Sequence, residues 1–177
     1  MRALIVIDYT FDFIADTGRL TCGKPGQDIE ERIVQLIEAF SPEDYVVIAN
    51  DVHDAGDTYH PETTLFPPHN IRGTEGRDLY GAVKKAAEQA DHWIDKTRYS
   101  AFAGTDLDLR LRERGITEIH LVGVCTDICV LHTAVDAYNL GYKMVIHADA
   151  VQSFNPVGHE WALEHFVTTL GATVTGK

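Results

Sequence analysis

The chain alternates short, nearly continuous apolar runs with longer stretches of helical spacing. The apolar runs are 3–9 (ALIVIDY), 44–50 (DYVVIAN), 92–96 (HWIDK), 118–124 (EIHLVGV) and 143–149 (KMVIHAD). Strands with one wet face alternate apolar and polar residues, so unbroken runs predict parallel strands covered on both faces. A short run near the end, 172–176 (ATVTG), adds a possible sixth strand. Between the runs, 28–40, 79–90, 107–115, 127–141 and 159–171 carry helical spacing. Two of these stretches end in Gly141 and Gly171, the position expected just past a helix C-terminus. The alternation predicts an α/β fold: three layers, α/β/α, around an open, mainly parallel sheet of the Rossmann-like kind.

Such sheets collect their functional residues at the carboxyl ends of the strands. Here those ends carry Asp8, Asp51, Lys96 and Cys125. The longest irregular stretch, 51–77, holds Pro61, Pro67 and Pro68 together with Gly56, Gly73 and Gly76. Its length marks it as functional rather than a spacer. No GxGxxG follows the first strand and no GxxxxGK[ST] occurs, which removes the main support for dinucleotide or P-loop chemistry.

The length, 177 residues, favours one domain spanning 1–177. Lys and Arg total 15 against 27 Asp and Glu, a formal charge of -12. That surface repels phosphate backbones, so no nucleic-acid partner is expected. No apolar run approaches the roughly 20 residues of a membrane span, and the N-terminal MRALIVIDY reads as a strand rather than a signal peptide. Three cysteines do not make a secreted disulfide framework, which predicts a cytoplasmic protein with reduced thiols.

Two of those cysteines, Cys125 and Cys129, sit at a strand-to-helix corner in LVGVCTDICVLHTAVDAYNLG. Thr126 or Asp127 is the expected N-cap, which puts Cys129 in the first helical turn. Free backbone N–H groups and the positive helix end there lower a thiol pKa and can stabilise an oxyanion. Cys125 ends an apolar strand, where cysteine usually packs as a small hydrophobe. Position alone leaves Cys129 open to either reading, nucleophile or packing residue. His132, one turn later, is a further candidate base.

The run GVCTDICVLHTAVDAYNLGY resembles the signature of the isochorismatase-like cysteine hydrolases, and IDYTFDF and DKTRYSAFAGTDL extend the resemblance over essentially the whole chain. The resemblance implies that Cys129 is the nucleophile, Asp8 its proton acceptor and donor, and Lys96 the ammonium that keeps Asp8 ionised. It also implies a cis peptide between Val124 and Cys125, beside the substrate, with the N–H groups of Cys125 and Cys129 as oxyanion donors.

The second constellation lies in NDVHDAGDTYHPETTLFPPHNIRGTEG, starting at Asn50. D-x-H places Asp51 and His53 on the same side of an extended backbone. His60, Glu62 and His69 add donors, a mixture suited to zinc, iron or manganese. Within the family, D-x-H followed by PPH resembles the nicotinamidase group. That resemblance implies Asp51, His53 and His69 as metal ligands, with Glu62 chosen over His60 as the remaining one. It implies hydrolysis of nicotinamide to nicotinate and ammonia through a thioester, in NAD salvage, with one divalent ion, zinc first, holding the pyridine nitrogen. The alternatives are another amidohydrolase of this fold, acting on a carbamoyl or related small amide, and a metal-hydroxide hydrolase in which Cys129 only packs. A flat ring calls for aromatic walls, and Phe13, Phe66 and Tyr99 are the candidates, ahead of Phe102. The resemblance also implies a homo-oligomer.

Overall fold

The computed structural model describes residues 1–40 and 43–177. Six strands, β1 (Ala3–Ile7), β2 (Tyr45–Asp51), β3 (His92–Lys96), β4 (Glu118–Val124), β5 (Lys143–Gln152) and β6 (Thr173–Thr175), form one parallel sheet in the order β3-β2-β1-β4-β5-β6. The chain therefore winds outward from β1 in one direction, then returns to the other side of β1 with β4. That reversal opens a crevice beyond the carboxyl ends of β1 and β4, where open α/β sheets bind ligands.

Among the described residues, seven α-helices accompany the sheet: α1 (Phe11–Ile14), α2 (Gly23–Asp28), α3 (Glu30–Phe40), α4 (Gly81–Ala86), α5 (Leu107–Glu113), α6 (Leu131–Asn139) and α7 (Pro156–Thr168). Alternate strand side chains point to opposite faces, so the core divides in two. Ile5, Ile7, Val47 and Leu121 pack with Leu107, Leu111, Ala134, Ala137 and Phe166 of α5, α6 and α7. Leu4, Val6, Val46, Ile48 and Val122 pack with Ile33, Ile37 and Val83 of α3 and α4.

The helix expected over 28–40 is two elements, α2 ending at Asp28 and α3 starting at Glu30. The one expected over 127–141 is also divided: a single π-helical turn (Thr126–Val130) precedes α6. Cys125, not Thr126 or Asp127, caps this turn, and its carbonyl accepts the Val130 N–H at 3.2 Å across five residues. Thr126 and Asp127 direct their side chains to the start of α7 instead. α7 begins earlier than its spacing suggests, because Asn155 caps it by accepting the Gly158 N–H at 3.1 Å and Pro156 takes the first position.

Gly141 ends α6 with φ 82°, and the next N–H, on Tyr142, reaches back to the Ala137 carbonyl at 2.9 Å. Gly123 has a tighter reason to be glycine. Its φ is 111°, and a Cβ there would strike the Ile7 carbonyl oxygen, so only glycine lets β4 close on β1 at the crevice. The peptide between Val124 and Cys125 is cis, as the family resemblance implies. Among the described residues, no helix is long and apolar enough to cross a membrane.

Candidate active site

Asp8 leaves β1 with φ 53°, a left-handed conformation that a non-glycine residue holds at a cost of about 1–3 kcal/mol. The turn aims its carboxylate into the crevice. Asp8 Oδ1 accepts the Asp51 backbone N–H at 2.6 Å, and Oδ2 lies 2.8 Å from Lys96 Nζ. Lys96, the last residue of β3, is 0% exposed, and its ammonium also reaches the Arg98 carbonyl at 3.2 Å and Cys129 Sγ at 3.5 Å. The Lys96 ammonium stands between the Asp8 carboxylate and the Cys129 sulfur. Residues 8, 96 and 129 thus meet from three separate elements.

The electrostatics differ from the expected lowered thiol. Burial, followed by the Asp8 charge, pushes Cys129 well above the usual thiol range, and Lys96 only partly opposes this. Its position in the π-helical turn does not outweigh desolvation, which favours the neutral thiol. Burial likewise raises Asp8, to about 6, with Lys96 pulling the other way and Asp51 adding to the rise. Lys96 loses charge stability through burial but regains more from Asp8, Cys129 and Asp51, and its pKa is raised. The result is a carboxylate ready to take a proton from the thiol beside it.

The other histidine and cysteine candidates are occupied elsewhere. His132 is exposed, with Nδ1 2.7 Å from the Ile128 carbonyl oxygen and its ring against Tyr99. Cys125 is buried and free, with Sγ 3.8 Å from that of Cys22.

Asp51, His53, Glu62 and His69 form a second cluster, their ligand atoms all within 4.8 Å of one another. His53 Nε2 lies 2.7 Å from Asp51 Oδ2, and His69 Nε2 lies 3.4 Å from both Asp51 Oδ2 and Glu62 Oε2. His69 donates its Nδ1–H to the Pro67 carbonyl at 2.8 Å, which leaves Nε2 as a lone pair aimed at two carboxylates. Acceptors converging on one buried point need a positive charge between them. Burial opposes that charge on His69 itself, but hydrogen bonds to Asp51 and Glu62 outweigh it and push the ring up to about 10. Asp51 is held below the usual carboxylate range: burial works against ionisation, and Lys96, His53 and His69 overcome it. A divalent cation satisfies the same geometry, so the donor set fits a metal.

His60 stands beside this cluster without joining it. Its Nδ1 accepts the Glu62 N–H at 3.2 Å and its Nε2 lies 2.7 Å from the Thr97 carbonyl oxygen, which uses both ring nitrogens. Asn70, next to His69, is the second non-glycine residue with positive φ, at 45°. Its N–H donates to Asp12 Oδ2 at 2.8 Å and its Oδ1 accepts from Thr10, tying the loop to the start of α1.

Between the two clusters lies a narrow pocket walled by Phe13, Leu20, Glu62, Phe66, Tyr99, Cys125, Ile128, Cys129 and Phe154. Phe13, Phe66, Tyr99 and Cys125 are brought together there. Val124 is not: it lies fully buried in the core behind the cavity. Phe102 is also elsewhere, stacked on Tyr142. Leu20, Ile128 and Phe154 were not anticipated. Ile128 could have been found from its place beside Cys129, whereas Leu20 and Phe154 belong to no motif.

Residues 2–177 match the family model of the Isochorismatase domain. The isochorismatase family protein PncA of Bacillus subtilis (strain 168) is 62% identical over 179 residues, covering 98% of each chain. A crystal structure of nicotinamidase/pyrazinamidase PncA from Bacillus subtilis superposes with a TM-score of 0.96 at 62% identity, over 99% of this chain and 100% of that one. The pyrazinamidase of Pyrococcus horikoshii, crystallised in complex with zinc, gives a TM-score of 0.84 at 29% identity, over 99% of both chains. With the fold, the strand-end triad and a match over nearly its whole length, the chain belongs to the isochorismatase family.

Proposed function

We propose that the chain is a nicotinamidase, hydrolysing nicotinamide to nicotinate and ammonia. One juxtaposition carries this reading: a thiol–carboxylate–ammonium set and a metal-binding cluster face a single small aromatic cavity from opposite sides. Likeness to the Bacillus subtilis nicotinamidase/pyrazinamidase supports the substrate class.

Asp51, His53, Glu62 and His69 would hold one divalent ion, with zinc the proposed metal. When bound, that ion supplies a Lewis acid for the pyridine nitrogen, which orients the ring and draws electron density from the carboxamide. The protein's own groups do the rest. Phe13, Phe66 and Tyr99 clasp the ring and exclude water. Cys129 Sγ attacks the amide carbon as its proton passes to Asp8. The N–H groups of Cys125 and Cys129 receive the oxyanion. Asp8 returns the proton to the departing ammonia, leaving a thioester on Cys129. A water then gives a proton to Asp8 as it attacks the thioester, nicotinate leaves, and the thiol is restored. Lys96 stays charged throughout and balances Asp8 and the sulfur.

The test is ammonia release from nicotinamide by zinc-reconstituted protein, before and after thiol alkylation. Turnover that alkylation abolishes while zinc stays bound is expected. Turnover that survives alkylation would make Cys129 a packing residue. Preferential release of ammonia from a carbamoyl substrate would favour the other amidohydrolase reading.

A further inference from the structure

The cavity has one wall that comes from outside the catalytic and metal motifs. Phe154 lies in the three-residue turn between β5 and α7, is 38% exposed, and still faces the cavity. Its ring meets Phe66 edge-on at 6.4 Å, so the two aromatics approach each other from the α7 side and the metal-loop side. A half-exposed aromatic on a turn would ordinarily be free to swing. This one is fastened on either side.

The fastening centres on Asp127, two residues before the nucleophile. Its Oδ1 accepts the Ser153 hydroxyl at 2.6 Å and its Oδ2 accepts the Asn155 side-chain amide at 3.4 Å. Ser153 Oγ in turn accepts the Asn155 N–H at 3.1 Å, and Asn155 caps α7. The residues immediately before and after Phe154 are therefore both held by one carboxylate. Phe154 and Cys125 line the same pocket, so the turn stands directly against its wall. Thr126 adds a parallel link, Oγ1 to His159 Nδ1 at 2.8 Å.

We propose that Phe154 is a specificity-determining residue that closes the substrate cavity against ring substituents, and that Asp127 is the positioning residue that holds it there. The proposal rests on the nicotinamidase reading and adds to it the limit on substrate size. The physical basis is steric. A fixed aromatic wall on a small cavity admits an unsubstituted six-membered ring and rejects an added methyl, whereas a loose wall would yield to it.

The experiment measures kcat and KM, with zinc bound, for nicotinamide and for nicotinamides carrying a methyl at each free ring carbon. Phe154→Ala should raise KM for nicotinamide more than it lowers kcat. It should also improve kcat/KM for at least one methylated substrate, relative to nicotinamide, by about tenfold or more, the scale of one methylene in a hydrophobic pocket. Asp127→Asn, which sets a donor against the Asn155 amide, should shift the same preference in the same direction by less. Phe154→Leu serves as the conservative control and should fall between wild type and Phe154→Ala. Unchanged substrate preference in a folded Phe154→Ala chain, with nicotinamide turned over by wild type, overturns this inference alone. An Asp127→Asn chain that loses kcat equally on all substrates would overturn the positioning role. A wild-type chain that releases no ammonia from nicotinamide brings down both readings.

Discussion

At the scale of single residues, the two cysteines of the strand-to-helix corner differ in what surrounds each sulfur. Cys129 has Lys96 at 3.5 Å, and the same ammonium holds the Asp8 carboxylate at 2.8 Å, whereas Cys125 has another buried thiol at 3.8 Å. Only the first has a base to take its proton and a cation to balance the product. Cys129→Ala should therefore lower kcat more than about 10³-fold while nicotinamide still binds the zinc-loaded protein, because the aromatic walls and ligand cluster remain. Cys125→Ala keeps the backbone N–H proposed for the oxyanion and should stay within about tenfold of wild type, losing on the order of 1 kcal/mol of stability with its packing. Steady-state ammonia release paired with calorimetric binding separates the two variants. Exchanged phenotypes would move the nucleophile to Cys125.

At the scale of elements, legibility followed periodicity. Four of the five long strands were readable because burial on both faces leaves continuous apolar runs, whereas β3 lies at the sheet edge with Trp93 and Asp95 exposed; Asp8, Asp51 and Lys96 could be placed from strand ends alone. α1 and α2 have only 4 and 6 residues, too few to display a period. The π-helical turn was not readable either, since it depends on Thr126 and Asp127 bonding to the start of α7, a partner distant in sequence. The thiol's raised pKa was hidden for the same reason: helix position is local, whereas the burial that opposes it is tertiary. The metal loop illustrates the choice that composition leaves open, because HPE offers both His60 and Glu62. Backbone groups of Thr97 and Glu62 engage both ring nitrogens of His60, which supports the proposal of Glu62 as the ligand. Glu62→Ala should accordingly lose more zinc on dialysis than His60→Ala, and metal content per chain read by plasma mass spectrometry compares them. Greater loss from His60→Ala would transfer the ligand role.

At the scale of the whole molecule, the proposed metal cluster is a product of folding, so metal binding would be readable as a change in stability. Asp51 ends β2, His53 and His69 flank a long irregular segment, and Glu62 sits in a short helical turn within it. An unfolded chain presents no such convergence, so an ion that binds the native cluster stabilises the fold by mass action. At 100 times the dissociation constant the gain is about 2.7 kcal/mol. For a chain of this length each kcal/mol moves the melting temperature by roughly 2–4 °C, so zinc should raise it by about 5–11 °C. Thermal unfolding with zinc, and again with excess chelator, reads the shift without reference to turnover. In Glu62→Ala, the zinc-induced rise should shrink because one of the four ligands is gone. A melting temperature that zinc leaves unmoved in wild type, or raises equally in wild type and Glu62→Ala, would remove these four residues as a metal site and leave the thiol triad to act alone.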